Sequence, residues 1–489
     1  MRLGYDEVAS VLGVPGTGRD IRLARAVTDS REAGEGALFV CVKGEHVDGH
    51  DFAAQAQARG ASAVLAARMT EGCSLPHLIV PDTVQALGRI AAHWRRGTRA
   101  KVVGITGTAG KTTVKEVLAH VCSLAGPTAK NEANHNNQLG MPRDMLETTG
   151  DEAFWIFEAG ISREGDMDEL GGILAPDLAV LLNAGAGHVE GLGERGVAWH
   201  KARLLAHLAP GGSALVCADY PELADRARET GARLHLFGSD VGGSAPAFRG
   251  RREGECPGDV PRGRYRLWLE GEEMVVAAPF LGRWGLEDTL AVASAAWLLG
   301  VDREAIREGL DGARLPQGRF TRVRRGGWDV VDDTYNANPL SMAASLEAAA
   351  ILGRGAPLAF ALGEMRELGD VAPAEHEALG RAAGALHPVA VFWKGGFGEL
   401  VAKGLADAGC PDVYVPVEDP GDFAARFAAL SERLGRGGLL LLKGSRANRL
   451  ESFLDALPQG EDWKATGPAR GRPTGKRGPG IGVDADVKG

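Results

Sequence analysis

The chain places its apolar residues in short runs that amphipathic or turn-rich segments separate. The first runs have the length and composition of strands, at residues 37–42, 61–65 and 77–80. Asp82 or Thr83 can cap a helix that follows, whose apolar residues recur at helical spacing: Val84, Leu87, Ile90 and Trp94. This pattern predicts a small α/β domain over residues 1–82 and a helix that leads out of it.

A second series of apolar runs follows this helix. Unbroken apolar strands that alternate with helices are typical of a mostly parallel sheet that is covered on both faces. The runs lie at residues 101–105, 154–157, 178–182 and 214–217. Residues 239–263 are rich in glycine, proline and charge and predict a loop, and a hairpin follows with strands at 265–269 and 274–277. We assign residues 83–314 to this central domain.

The alternation of strands and helices starts again near residue 315. Strands are expected at residues 328–331, 358–361, 389–392 and 439–442, with helices such as 341–352 and 421–434 between them. This pattern predicts a Rossmann-like α/β domain over residues 315–457. Residues 458–489 contain almost no apolar side chains, so we expect a disordered tail there.

Composition limits the class of protein. A chain of 489 residues suits about three domains, and 44% hydrophobic residues suffice for ordinary cores. The net charge of −9 argues against a nucleic-acid partner. We expect no membrane span and no secretion signal, because no long apolar stretch occurs. The six cysteines form no C-x-x-C pair, which favours free thiols in a reducing cytoplasm.

A glycine-rich turn links the strand at 101–105 to an amphipathic helix at 111–125 and reads TGTAGKTT from residue 106 to 113. Backbone N–H groups of such a turn converge on an anion, and the helix N-terminus adds positive potential. The commoner G-x-x-x-x-G-K-[ST] pattern would need glycine where this chain has Ile105. We predict a site for a nucleoside triphosphate at Gly107, Thr108, Ala109, Gly110, Lys111, Thr112 and Thr113.

Polar residues follow the strands of the central domain, at the sheet edge where open α/β sheets bind ligands. They are Glu158, His188, Lys201 and the loop Asn134–Asn137. Each alone is explained as well by a capping or structural hydrogen bond. Together with the glycine-rich turn they suggest a metal-assisted triphosphate site, because Mg²⁺ prefers hard oxygen ligands such as Thr112 and Glu158.

Two further clusters lie in the last domain. Residues 332–339, DDTYNANP, follow a strand and suit contact with a ribose and an adenine, although a simple turn explains part of the pattern. Residues 443–446, KGSR, follow the last strand and present two cations that can hold a carboxylate. A solvated charged loop is the alternative for either cluster.

These motifs resemble the Mur ligase family, ATP-dependent enzymes that form amide bonds in cell-wall precursor synthesis. The resemblance extends to about residue 457 and rests on the TGTAGKTT turn, Asn136-Asn137, Glu158, Asn183, His188 and Lys201. Residues 333–339, and 363–369 followed by His376, are most similar to members that join D-alanyl-D-alanine to UDP-N-acetylmuramoyl-tripeptide. Residues 28–31 and 43–52 resemble the UDP-substrate module, and the Asp-Asn-Pro-Arg motif of the sister enzyme is absent.

The resemblance implies a mechanism in which ATP converts a peptide carboxylate into an acyl phosphate, which the dipeptide amine attacks. It implies catalytic roles for Lys111, Glu158, His188 and Lys201, and Mg²⁺ ligands at Thr112, Glu158, His188 and Lys201, the last carbamylated by CO₂. It implies ATP contacts beyond the turn at Asn137, Arg319, Asp333, Tyr335, Asn336 and Asn338. It places the UDP-substrate at Ser30, Arg31, Gly44, Asp48 and His50, and D-alanyl-D-alanine at Lys443, Ser445 and Arg446. We expect a monomer in the cytoplasm.

Two stretches depart from the family pattern. The family's G-x-H-N-x-x-N adenine motif reads GRWGLED at residues 282–288, so that Trp284 takes the place of the histidine. Arg203 stands where the family commonly has an acid. Two alternatives stay open: a related ligase with another acceptor, such as a folate-polyglutamylating enzyme, and a nucleotide-binding regulatory homologue without turnover.

Overall fold

The computed structural model describes residues 1–185, 192–239, 246–256 and 261–459. His188, and the part of the expected tail from residue 460 onward, lie outside the described residues. In the described chain the predicted α/β character is confirmed, with separate sheets of four, nine and six strands and one two-stranded ribbon. No helix in this described part is long and apolar enough to cross a membrane.

The first sheet is parallel and has the order β3-β4-β5-β6. Its strands are β3 (Arg25–Val27), β4 (Ala37–Val40), β5 (Ala63–Ala66) and β6 (His77–Ile79). The ribbon pairs β1 (Leu3–Gly4) with β2 (Arg22–Leu23), and the helices are α1 (Tyr5–Leu12) and α2 (Ala53–Ala58). The runs predicted as strands are confirmed as β4, β5 and β6, whereas β3 is too short to give a sequence pattern.

The helix predicted after Asp82 is α3 (Thr83–Gly97). The Asp82 carboxylate accepts hydrogen bonds from the backbone N–H groups of Val84 and Gln85, both at 2.9 Å, which confirms Asp82 as the N-cap. The predicted domain limits at 82/83 and 314/315 fall in the connections β6–α3 and α10–β16, and they stay predictions.

The central sheet has the order β15-β14-β13-β12-β11-β10-β7-β9-β8 and is parallel from β8 to β13. Its strands are β7 (Lys101–Thr106), β8 (Thr128–Lys130), β9 (Phe154–Glu158), β10 (Leu178–Leu181), β11 (Ser213–Cys217), β12 (Leu234–Ser239), β13 (Phe248–Cys256), β14 (Arg262–Leu269) and β15 (Glu272–Ala278). Its helices are α4 (Lys111–Ser123), α5 (Gly140–Glu147), α6 (Asp166–Leu174), α7 (Gly196–Ala202), α8 (Pro221–Glu229), α9 (Gly282–Leu298) and α10 (Arg303–Gly312).

The prediction of a loop over residues 239–263 is wrong, because β13 lies within it. This strand pairs antiparallel with β14 from Phe248 opposite Leu269 to Cys256 opposite Arg262. Its inward residues are Phe248 and Gly250, and Glu253 on its other face pairs across the ladder with Arg264 at 3.3 Å and Arg266 at 2.5 Å. Cross-strand ion pairs therefore stabilise a strand whose charged composition suggests a loop.

The last sheet has the order β16-β17-β21-β18-β19-β20, and only β16 is antiparallel to its neighbour. Its strands are β16 (Thr321–Arg325), β17 (Trp328–Asp333), β18 (Leu358–Gly363), β19 (Ala390–Lys394), β20 (Tyr414–Pro416) and β21 (Leu439–Lys443). Its helices are α11 (Pro339–Leu352), α12 (Ala372–Gly384), α13 (Gly398–Asp407), α14 (Pro420–Leu434) and α15 (Glu451–Asp455). The four strands and two helices that the pattern predicted here are confirmed.

The central sheet buries side chains on both faces, as its unbroken apolar strands require. Along β9, Trp155 and Phe157 pack into the core on one face, and Phe154 and Ile156 pack into the core on the other. The first of these cores also contains Leu38 of β4, so the first two sheets share one apolar layer. This shared layer fixes the first domain against the central one.

The sheet order also determines where a ligand site can form. Strand β7 lies between β10 and β9, with Thr106 opposite Leu181 and Ile105 opposite Glu158. The carboxyl ends of these three parallel strands therefore bring together the glycine-rich turn, Glu158 and Asn183.

Candidate active site

A cavity of about 620 Å³ lies between the central and last domains. The glycine-rich turn is here called the phosphate loop (Gly107–Thr113). The central domain lines the cavity with residues 108–113 of this loop, together with Glu158, Asn183 and the start of α9. From the last domain come Arg319, Asp333, Tyr335, Asn336, Asn338, Lys443, Ser445 and Arg446. The cavity thus brings together the residues predicted for ATP and those predicted for the dipeptide.

The phosphate loop is tightly packed at its glycines. Gly110 has φ +81°, and a Cβ there would lie 2.7 Å from a carboxyl oxygen of Asp288. The backbone N–H groups of Thr108 and Ala109 both donate to Oδ1 of Asn183, at 2.9 and 2.8 Å. The amides left for an anion are therefore those of the first turn of α4, at Lys111, Thr112 and Thr113, which have no acceptor within the helix.

Glu158 and Thr112 form a pair of hard oxygen groups beside these amides. The Thr112 hydroxyl donates to Oε2 of Glu158 at 2.7 Å, and Asn136 Nδ2 donates to Oε1 at 2.6 Å. Arg319 of the last domain donates from Nη2 to the Thr112 hydroxyl at 3.0 Å. A hydroxyl and a carboxylate next to a phosphate-binding helix end fit Mg²⁺, which takes few protein ligands and fills its shell with phosphate and water oxygens.

Lys111 and Lys201 are the cations next to this pair. Burial lowers the pKa of Lys111, which Glu158 raises in part and Arg319 lowers further. Burial also lowers the pKa of Lys201 well below its ordinary value, Lys111 lowers it further, and Glu158 opposes the shift. Within the described residues the Lys201 ammonium has no hydrogen bond or ion pair, and only 2% of this residue is exposed. A buried lysine of this kind is readily neutral.

The last domain contributes a buried ion pair. The Lys443 ammonium donates to Oδ2 of Asp333 at 2.6 Å and to the carbonyl oxygen of Asn336 at 3.0 Å. Burial lowers the pKa of Lys443, while Asp333 opposes this shift. Lys443 is thus already paired, and its predicted contact with the dipeptide stays a prediction.

Tyr335, Ser445 and Arg446 lie around this pair. The guanidinium carbon of Arg319 is 4.0 Å from the centre of the Tyr335 ring, and that of Arg446 is 6.0 Å from it. The Ser445 hydroxyl accepts a hydrogen bond from the backbone N–H of Arg366 at 2.9 Å. The aromatic ring and both guanidinium groups therefore form one wall of the cavity.

Helix α9 lines the cavity with two carboxyl groups. Glu287 accepts hydrogen bonds from Asn183 Nδ2 at 2.9 Å and from the Tyr220 hydroxyl at 3.0 Å. Burial raises the pKa of Glu287 to about 7. Burial and the adjacent Glu287 raise the pKa of Asp288 well above its ordinary value. This pair occupies the stretch that departs from the family pattern, where the guanidinium of Arg283 lies 3.3 Å from the Trp284 ring centre.

Two asparagines in the predicted motifs have contacts at this site that the sequence did not indicate. Asn136 bonds Glu158, and Asn183 orders the phosphate loop. Asn137 lines the cavity, and its side chain accepts hydrogen bonds from the backbone N–H groups of Leu139 and Gly140 at the start of α5. Its predicted contact with ATP stays a prediction. An amide directly after an apolar strand was the available signal for Asn183, but nothing in the sequence distinguishes Asn136 from Asn137.

The residues predicted for the UDP-substrate lie in the first domain, away from this cavity. Asp29 pairs with Arg31 at 2.6 Å, and the Ser30 hydroxyl bonds Gln55. The backbone N–H of Gly44 donates to the carbonyl oxygen of Val47 at 2.9 Å. Asp48 bonds Nδ1 of the buried His50 at 2.5 Å. The roles of Ser30, Arg31, Gly44, Asp48 and His50 stay predictions.

Arg203, the second departure from the family pattern, has a partner on α6. Its Nη2 and Nε donate to Oδ1 of Asp168 at 2.6 and 3.0 Å. Because this charge is paired, Arg203 adds no free cation next to Lys201. His188 lies outside the described residues, so its predicted place beside Lys201 stays a prediction.

Comparison with known proteins gives matches along most of the chain. Three family models match it: "Mur ligase family, catalytic domain" at residues 26–95, "Mur ligase middle domain" at 105–296 and "Mur ligase, glutamate ligase domain" at 318–446. The UDP-N-acetylmuramoyl-tripeptide–D-alanyl-D-alanine ligase of Synechocystis sp. is 33% identical over 456 residues, which cover 91% of this chain and 94% of that one.

Solved structures give the same result. MurF from Acinetobacter baumannii superposes with a TM-score of 0.83 at 27% identity, covering 93% of this chain and 98% of that one. The MurF ligase from Thermotoga maritima, in complex with ADP, superposes with a TM-score of 0.75 at 28% identity, covering 88% and 96%. From its motifs, its site and these matches, the chain belongs to the Mur ligase family.

Proposed function

We propose that this protein joins D-alanyl-D-alanine to UDP-N-acetylmuramoyl-tripeptide in the cytoplasm, with cleavage of ATP to ADP and phosphate, as a step of peptidoglycan precursor synthesis. Mur ligases are ATP-dependent amide ligases. The observation that supports the proposal most is the Thr112–Glu158 pair beside the free amides of α4. The identity of 33% to a ligase with these substrates, over 91% of the chain, supports this choice of substrates.

The proposed reaction has to activate a carboxylate, because a carboxylate is a poor acyl donor. A terminal carboxylate oxygen of the tripeptide attacks the γ-phosphorus of ATP, and the bond from this phosphorus to the ADP oxygen breaks. The amine of D-alanyl-D-alanine then attacks the acyl phosphate and passes through a tetrahedral intermediate. Phosphate leaves, the nitrogen loses its proton, and an amide remains.

The residues around the phosphate loop supply positive potential for the transferred group. The first-turn amides of α4 hold phosphate oxygens, and the ammonium of Lys111 and the guanidinium of Arg319 stabilise the charge that develops on the γ-phosphoryl group. Arg319 belongs to the last domain and bonds Thr112 of the central domain at 3.0 Å. The site is therefore complete only when these domains are together.

Thr112 and Glu158 are the described residues that would hold Mg²⁺. When bound, the ion neutralises negative charge on the phosphate oxygens. Lys201 is suited to a carbamate, because the reaction with CO₂ needs a neutral amine and burial lowers the pKa of this lysine. The carbamate would replace a cation with an oxygen anion near Glu158.

Ser445 and Arg446 are the groups we assign to the dipeptide carboxylate. Both line the cavity, and Arg446 follows β21 with its guanidinium near Tyr335. Tyr335 and Asn336 lie on the same wall and can contact the nucleoside of ATP. The protein would act as a monomer, since one chain contributes all of these groups.

The test of the proposed function is phosphate release from ATP with each substrate left out in turn, with the product identified by mass spectrometry. We expect release only when UDP-N-acetylmuramoyl-tripeptide and D-alanyl-D-alanine are both present, and a product with the mass of the pentapeptide. Phosphate release in the presence of glutamate and a folate would favour a folate-polyglutamylating ligase. No release with any pair would favour a regulatory homologue.

The role of Lys201 has its own test. Lys201→Ala should lose about a hundredfold or more in turnover if its oxygen anion supports the metal site. Enzyme stripped of CO₂ should regain activity when bicarbonate is added. Full activity of Lys201→Ala, or no rescue by bicarbonate, would contradict this role.

A further inference from the structure

Asn338 links the last domain to the phosphate loop through a hydrogen bond between two protein groups. Its Nδ2 donates to the carbonyl oxygen of Thr108 at 3.1 Å. The Lys111 ammonium donates to the same oxygen at 3.5 Å, which is its only hydrogen bond among the described residues. A carbonyl oxygen accepts at most two such bonds, so Asn338 and Lys111 share the full capacity of this acceptor.

The Asn338 side chain is held in this orientation at both of its polar atoms. It is the N-cap of α11, where Oδ1 accepts from the backbone N–H of Ser341 at 2.9 Å. The Ser341 hydroxyl in turn accepts from the backbone N–H of Asn338 at 3.0 Å. Aspartate or serine also caps a helix, but neither offers an N–H donor to Thr108.

A second contact joins the start of α11 to the phosphate loop. Leu340 packs against Gly185, where a Cβ would lie 2.7 Å from Leu340 Cδ1. Gly185 is bonded to Thr108, because its backbone N–H donates to the Thr108 hydroxyl at 3.1 Å. The start of α11 therefore docks on Thr108 both directly and through Gly185.

We infer that Asn338 is a positioning residue that acts through Lys111. With α11 docked, the Asn338 amide is the closer donor to the Thr108 carbonyl, at 3.1 Å against 3.5 Å for Lys111. The carbonyl therefore stays satisfied when the Lys111 ammonium leaves it for the terminal phosphate of a nucleoside triphosphate. The inference rests on the proposed function only as far as a nucleotide binds at the phosphate loop. Domain docking thereby makes the Lys111 ammonium more available to contact the terminal phosphate.

Binding measurements test this inference without any acceptor substrate. Calorimetry with Mg·AMP-PNP and with Mg·ADP is compared for the wild type, Asn338→Ser, Lys111→Ala and the double variant. Asn338→Ser keeps a helix cap but cannot reach Thr108, so we expect affinity for Mg·AMP-PNP to fall about three- to tenfold, which is the range of one neutral hydrogen bond. Affinity for Mg·ADP should change by less than about twofold, within the scatter of such values.

The double variant decides whether Asn338 acts through Lys111. In the Lys111→Ala background, Asn338→Ser should lower Mg·AMP-PNP affinity by less than about twofold, because no ammonium then has to leave the Thr108 carbonyl for the phosphate. Additive losses would overturn the inference, as would an equal loss for Mg·ADP, or no loss in the single variant. Asn338→Asp, which keeps the cap and turns the donor into an acceptor, should bind Mg·AMP-PNP more weakly than Asn338→Ser.

Ser341→Ala is the matched control for helix capping. It removes the Ser341 hydroxyl from the cap but leaves the bond from Asn338 to Thr108. We expect a lower melting temperature with unchanged discrimination between Mg·AMP-PNP and Mg·ADP, and a loss of that discrimination would overturn the inference. A wild-type chain that binds neither nucleotide would overturn both this inference and the proposed function. Nucleotide binding without peptide joining would overturn the proposed function alone.

Discussion

Lys443 and Lys111 line the same cavity but differ in whether a carboxylate contacts the ammonium directly. The Lys443 ammonium has a carboxylate partner at 2.6 Å and a carbonyl oxygen at 3.0 Å. Lys111 has one described partner, a carbonyl oxygen at 3.5 Å, and the carboxylate of Glu158 is bonded to Thr112 and Asn136 instead. Burial lowers the pKa of both lysines, but only Lys443 has a carboxylate in direct contact.

This difference separates a structural cation from a functional one. A buried ion pair is costly to break, and its cation needs no ligand. A buried charge without a close counterion makes the empty site less stable, and an anion that enters gains the whole interaction. We therefore expect removal of Lys443 to lower the stability of the last domain. Removal of Lys111 should lower the activity of the central domain.

Lys443→Met should have the largest effect on folding. The change leaves the Asp333 carboxylate buried without its cation, which costs about 3–5 kcal/mol. Denaturant unfolding of the purified variant, followed by circular dichroism, measures this loss. Asp333→Leu with Lys443→Met should recover most of it, because no buried charge is then left unpaired. A single variant as stable as the wild type would refute the structural role.

Lys111→Ala should show the reverse pattern. We expect ligase turnover to fall about a thousandfold, the upper range for removal of one group that stabilises transition-state charge. Stability should stay the same or rise, because the variant removes a half-buried cation whose described hydrogen bond is long. Turnover and melting temperature are measured on the same preparation. If Lys111→Ala destabilises the protein as strongly as Lys443→Met, the two cations do not differ as the structure indicates.

The sequence predicted the elements whose pattern is local. Strands β7, β9, β10 and β21 are apolar runs with polar residues only at their ends, and they were found where expected because burial on both faces excludes polar side chains from their middle. Strand β13 was missed because Glu253 finds its partners, Arg264 and Arg266, on β14, which pairs with it antiparallel. A pairing partner is a property of the fold and leaves no mark in the strand itself.

The same distinction applies to the site. The phosphate loop was predicted because glycine, lysine and threonine at fixed spacing express its function locally. The contact of Asn338 with Thr108 joins residues 230 positions apart, and that of Lys443 with Asp333 joins residues 110 positions apart. Sequence motifs marked Asn338 and Lys443 as polar residues at a sheet edge, but could not tell which partner each would find.

The acidic pair on α9, Glu287 and Asp288, should make the stability of the protein depend on pH. Burial raises the pKa of Glu287 to about 7, while the pKa of this group in an unfolded chain stays near 4.5. A raised folded-state pKa means that stability is fully present below pH about 4.5 and is lost as the pH rises through about 7. The loss amounts to about 3 kcal/mol.

Glu287→Gln should flatten this pH dependence. Glutamine can still accept from Asn183 and can donate to the Tyr220 hydroxyl, so the neutral contacts are kept. Melting temperatures of the wild type and the variant, recorded from pH 5 to 8, should converge at low pH and diverge at high pH. Parallel curves would show that Glu287 is not the group responsible.

Asp288→Asn should have the smallest effect, although Asp288 lies next to Gly110 of the phosphate loop. Burial and Glu287 raise the pKa of Asp288 well above its ordinary value, which favours the neutral acid, and a neutral carboxylic acid has nearly the shape of an amide. At neutral pH we therefore expect the affinity for Mg·AMP-PNP to change by less than about twofold, as for an isosteric replacement. At higher pH the wild-type carboxylate ionises and repels phosphate, so the variant should bind more tightly. A large loss at neutral pH would mean that Asp288 is ionised there, and that its raised pKa does not keep it neutral beside the phosphate loop.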